Sequence, residues 1–69
     1  MKLSNRVKAL RRQTDWTQEQ FADLIGVTRQ TVISLEKGSY TPSLLLAMHI
    51  ARVFDRPIED IFYLEEESP

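Results

Sequence analysis

The chain's 69 residues include no cysteine and one histidine, 42% are hydrophobic, and the net charge is −1. That excludes a disulfide framework, a thiolate zinc site and an imidazole cluster; a domain this small buries only about 60% of its unfolded surface, which leaves self-association as the remaining source of added stability. The charge is unevenly spread: residues 1–37 hold seven Lys/Arg against four acids, +3, whereas 38–69 hold two against six, −4, so a local basic footprint survives a negative total.

Ser4 or Asn5 is suited to cap a first helix, in which Leu3, Val7 and Leu10 follow helical spacing. Thr17 reads as the next N-cap, and Gln20 three residues on completes a capping box. Trp16 before that cap and Phe21 at the fourth helical position have the spacing of a hydrophobic staple. The second helix is predicted from Gln18 to about Ile25, ending at Gly26, which takes a positive φ without strain. Thr28 caps a third helix that runs to Lys37 and stops at Gly38.

A polar loop follows, with Pro42 in the first turn of a fourth helix whose core positions are Leu44, Ala47, Ile50, Ala51 and Phe54. Pro57 opens a short fifth helix carrying Ile58 and Ile61, and residues 65–69 form a fraying tail. No repeat and no strand-like alternation appears, so the expectation is a compact all-α bundle of five helices, one domain over 1–69. Lys2 is followed by only isolated apolar residues, so no secretory core is expected. The longest apolar run, Leu44 to Met48, is far below the roughly 20 residues that span a bilayer. A soluble, cytoplasmic protein with no membrane partner is the expected setting.

Two short helices joined by Gly26-Val27-Thr28 have the layout of a DNA-binding helix-turn-helix, here 17–36. Ala22 is small where the helices would cross, and Val27, Val32 and Leu35 would pack the second helix of the motif on the first. These residues resemble the Cro/cI-type (XRE) helix-turn-helix family of repressors. The likeness continues through Glu36-Lys37-Gly38 and Pro42-Ser43-Leu44 to Pro57-Ile58-Glu59-Asp60-Ile61. The resemblance implies a lambda-repressor-like DNA-binding domain with the 28–37 helix in the major groove of double-stranded DNA.

By the same resemblance, Arg29, Gln30 and Ser34 fall where family members read base edges, and Gln18 falls where they contact a phosphate. The chemistry is apt: Arg pairs bidentately with guanine, and Gln with adenine. Thr28, Thr31, Lys37, Ser39 and Tyr40 are further phosphate candidates, although Thr28 is first of all a cap. The family also implies a structural ion pair, Arg11 with Glu36, which would neutralise an acid otherwise facing phosphates. Trp16 and Phe21 read as staple and core rather than as base-stacking groups. His49 lacks a second ligand, and Asp55, Glu59 and Asp60 lack a nucleophile or phosphate loop, so no metal, no cofactor and no enzymatic activity are expected.

The fourth helix carries more apolar residues than one core requires. Leu46, Val53, Phe62, Tyr63 and Leu64 are therefore candidates for a two-fold dimer interface, which the family commonly builds from C-terminal elements. Met1-Lys2-Leu3 could also pair with Phe62-Tyr63-Leu64 as short terminal strands. The functional expectation is a homodimeric transcriptional repressor on a pseudo-palindromic operator, controlled by concentration or by a regulatory protein partner, with no small-molecule domain. The rival reading is a protein-interaction module, an antitoxin or adaptor, on the same fold.

Overall fold

The computed structural model describes residues 1–66. In chain order it contains β1 (Lys2–Asn5), α1 (Val7–Gln13), α2 (Gln18–Ile25), α3 (Arg29–Lys37), α4 (Leu44–Phe54), a 3₁₀ turn (Ile58–Asp60) and β2 (Phe62–Glu65).

The densest local signal gives the most complete helix start. At the entrance to α2 the Gln20 N–H donates to the Thr17 hydroxyl at 3.0 Å, and the Thr17 N–H donates to the Gln20 side-chain oxygen at 2.9 Å. Two of the four N–H groups that a helix start leaves unpaired are thereby satisfied. Trp16 lies stacked 6.1 Å from Phe21, closing the staple. Gly26 ends α2 at φ 73° and Gly38 ends α3 at φ 81°, left-handed backbone that a Cβ would strain. Asp55 ends α4 in the same region at φ 55°, a stop with no glycine to announce it.

The core forms where the helices converge. Phe21, Ala22 and Ile25 of α2 meet Val32 and Leu35 of α3, and Val7 and Leu10 of α1 and Ile50 of α4 close around them. Ala22, 2% exposed, lets α2 and α3 cross closely. Helix α4 begins at Leu44 rather than at Pro42, because the Ser43 hydroxyl accepts from the Leu46 N–H at 3.1 Å and so marks the N-cap. Leu44 is not a core residue but 71% exposed. The buried stripe of α4 centres on Ile50, and at about 100° per residue Leu44 sits roughly 120° around the helix from it.

The fold is mostly helical, consistent with the expected all-α helix-turn-helix domain, but the described residues form four helices instead of five, together with a short two-stranded sheet. The segment after Pro57 makes a single 3₁₀ turn and then becomes β2, which pairs antiparallel with β1 in the register Lys2↔Glu65, Leu3↔Leu64, Ser4↔Tyr63, Asn5↔Phe62. The carbonyls at the end of the turn are met from outside it: the Arg6 N–H donates to Ile61 O at 2.9 Å, and the Arg6 guanidinium donates to Asp60 O. Phe62, Tyr63 and Leu64 then favour a strand. The terminal segments thus pair within one chain, over residues 2–5 and 62–65.

Two further expectations change with the sheet. Leu3 lies in β1 and not in the first helix, and that helix starts at Val7, whose N–H donates to Asn5 Oδ1 at 3.0 Å. Of the tail expected to fray, Glu65 is paired in β2, while 67–69 lie outside the described residues.

Candidate nucleic-acid interface

Helix α3 is capped by Thr28, whose hydroxyl accepts from the Thr31 N–H at 3.2 Å and lies 3.1 Å from the Thr31 hydroxyl. Those two hydroxyls are engaged with each other, leaving Arg29 and Gln30 as the exposed side chains of the first turn. Ser34, one turn on, is half-buried, and Lys37 in the last turn is exposed. Ser39 donates its hydroxyl to Ser34 O at 3.2 Å, so its side chain closes the end of α3. Tyr40 remains exposed beside it.

Two polar concavities flank the start of α3. One is lined by Thr28, Gln30, Thr31, Ser34, Ser39 and Tyr40. The other is a notch between the start of α2 and the start of α3, lined by Arg11, Thr17, Gln18, Glu19 and Arg29. Eight of the nine candidate DNA contacts named from the sequence therefore line one or other of these concavities; Lys37 lies outside both. The unpaired N–H groups of the first turn of α2 add partial positive charge at the notch.

Beneath the notch lies a polar cluster. Arg11 Nε is 2.6 Å from Glu36 Oε2, and Arg11 Nη2 donates to Glu36 Oε1 at 3.3 Å. Arg11 Nη1 donates to Trp16 O at 2.8 Å, and Gln18 Nε2 donates to Glu36 Oε1 at 3.1 Å. The two charged side chains are only 11% and 4% exposed, so each compensates the charge of the other where water is largely excluded. Sequence reasoning missed the place of Gln18 in this cluster, since an 18-residue separation carries no local signal. It also missed Asn5, whose side-chain amide donates to Leu35 O at 3.0 Å and ties β1 to the end of α3.

The apolar candidates for an interface divide. Phe62 is 8% exposed and belongs to the core, and Leu46 and Val53 are half-buried against it, so these three are not a free surface. Leu64 is exposed beside its cross-strand partner Leu3, and Tyr63, paired with Ser4, is exposed on the other face of the sheet. Leu44, Leu45 and Met48 form a second exposed apolar face on α4, Leu45 reaching 80%. His49 is exposed on α4, and among the described residues no group of three His, Asp or Glu side chains is placed to hold a metal ion. No helix among the described residues is long and apolar enough to cross a membrane.

Residues 7–61 match the helix-turn-helix family model, a span that leaves both strands outside it. The HTH-type transcriptional regulator YgzD of Bacillus subtilis is 50% identical over 66 residues, covering 96% of this chain and 100% of that one. The competence pilus inhibition repressor of Acinetobacter baylyi is 32% identical over 68 residues, 96% of this chain and 60% of that protein. Among solved structures, the restriction-modification controller protein C.AhdI from Aeromonas hydrophila is similar with a TM-score of 0.71 at 28% identity, over 78% of each chain.

Proposed function

Because the chain belongs to the Cro/cI-type (XRE) family of helix-turn-helix transcriptional regulators, we propose that it represses transcription as a homodimer on a pseudo-palindromic operator, with α3 in the major groove. The observation that carries this reading is the pairing of two exposed side chains of a type able to read bases, Arg29 and Gln30, with a polar notch at the start of α2. Arg29 and Gln30 read base edges, with Ser34 behind them, while Gln18, Lys37 and Tyr40 meet phosphates. Thr28, Thr31 and Ser39 hold the backbone of α3 and contribute to phosphate binding only through their remaining lone pairs or N–H groups. Similarity to a repressor supports the sign of the regulation.

Charge placement fits this use. Of the seven cations in residues 1–37, Arg11 is neutralised by Glu36. Arg29 and Lys37 stay exposed on the motif, and Lys8 and Arg12 stay exposed on α1. Binding is expected to weaken as salt rises, with base contacts supplying the discrimination.

Selection of bound DNA from a random pool, at fixed salt, tests the reading. Arg29→Ala and Gln30→Ala are each expected to lower specific affinity by about 1–3 kcal/mol and to relax selection at one base position. Operator selection unchanged in both variants would sink the assignment of α3.

The dimer draws on an exposed apolar surface, with one face of the sheet (Leu3, Leu64) and the outer face of α4 (Leu44, Leu45, Met48) as its two available sites. Sedimentation of Leu64→Lys and Leu45→Lys identifies the one in use, since only the substitution inside the interface shifts the protein to monomer. A wild-type chain that is strictly monomeric at micromolar concentration, with and without DNA, overturns the dimer and favours a protein-interaction module.

A further inference from the structure

We infer that Glu36 is the positioning residue of the notch at the start of α2: it turns the Gln18 side chain so that an amide N–H, and not the amide oxygen, faces an incoming phosphate. The inference rests on the reading of Gln18 as a phosphate contact and adds the reason that contact is directional.

A primary amide ends in a broad, roughly two-fold torsion, so a free Gln18 would present nitrogen and oxygen alike. An oxygen turned toward a phosphate repels it. A carboxylate has only acceptors and removes that ambiguity. Gln18 Nε2 donates one of its two hydrogens to Glu36 Oε1 at 3.1 Å, which leaves the second hydrogen free. Glu36 is itself fixed by the two-point grip of Arg11, at 2.6 and 3.3 Å, and Arg11 is anchored to Trp16 O at 2.8 Å in the turn before α2. The chain Trp16–Arg11–Glu36–Gln18 thus loops beneath the helix start. Arg11 has a second effect. A bare carboxylate under a phosphate site would repel the ligand, and the guanidinium cancels that charge while leaving the acceptor oxygens in place.

Glu36 acts through Gln18, so the two residues must be non-additive in DNA affinity. Gln18→Ala removes the contact and is expected to weaken binding about tenfold, the scale of one hydrogen bond to a charged group. Glu36→Gln keeps volume and one acceptor oxygen but frees the amide to flip between two alike orientations; a loss of about twofold is expected, smaller than the whole bond. In the double variant the loss should equal that of Gln18→Ala alone. Losses that multiply overturn the positioning role.

A readout on the unsubstituted protein stands independently of how the variants fold. In the free protein, the Gln18 side-chain amide should show restrained motion by ¹⁵N relaxation before DNA is added. An amide as mobile as that of the exposed Gln30 overturns the inference. Failure of the wild-type chain to select any DNA sequence instead overturns the DNA-binding reading itself, which separates the two.

Discussion

Arg11→Ala is expected to destabilise the protein by about 3–5 kcal/mol, the magnitude found when one partner of a buried ion pair is removed. The cause is the stranded carboxylate more than the missing attraction. The Glu36 side chain is 4% exposed and would keep only the Gln18 amide as a donor. The substitution also leaves Trp16 O in the turn before α2 without its donor, so the staple loosens with the pair. Replacing both partners by apolar residues, Arg11→Met with Glu36→Leu, should sit within about 2 kcal/mol of the wild type, because no charge remains to desolvate. Urea unfolding of the three proteins checks this through their midpoints at constant slope. An Arg11→Ala variant within about 1 kcal/mol of wild type would show that water reaches Glu36 readily and that the pair matters little.

Phe21→Ala should be as damaging, at about 3–5 kcal/mol. Phe21 is fully buried and stacks on both Trp16, at 6.1 Å, and Phe54, at 5.1 Å. Trp16 and Phe54 themselves lie 5.9 Å apart, so one ring cluster joins the entrance of α2 to the end of α4. Removing the fully buried ring of the three leaves a cavity bounded by the other two aromatics. A domain of this size starts near the low end of the usual range of roughly 5–15 kcal/mol, so most of the variant would be unfolded when warm. Phe21→Leu, which keeps most of the volume, should cost less than about 2 kcal/mol. Thermal melts followed by circular dichroism separate the two. Saturating operator DNA should raise both midpoints, by about 2.7 kcal/mol of stability at a hundredfold excess over Kd. Equal melting of Phe21→Ala and wild type would mean that the rings pack loosely enough to close the gap.

The motif region is legible in the sequence because its instructions are local. Thr17 with Gln20, Trp16 with Phe21, Gly26 and Gly38 each act within about one helical turn. The spacing that places Arg29 and Gln30 at the start of α3 is fixed by the same short-range signals, and the family resemblance supplies their use. Leu44 misleads because Ala47 and Ala51 share its helical spacing, yet both lie at the rim of the buried stripe, which centres on Ile50. Phe62 reads as surplus apolar surface only because the strand that draws it into the core begins sixty residues earlier.

Local sequence therefore accounts for the ends of α2 and α3, the turn between them, the identity of the side chains at the start of α3, and the charge split between the halves. Each follows from backbone capping, glycine conformation or simple counting, which need no distant partner. Three outcomes come from the folded arrangement instead: the register in which the two terminal strands pair, the bonds from Arg6 to the last helical turn, and the sharing of Glu36 by Gln18 and Arg11. They depend on hydrogen bonds between residues roughly 20 to 60 positions apart, and no local propensity encodes such a bond, because its partner arrives only when the chain has folded.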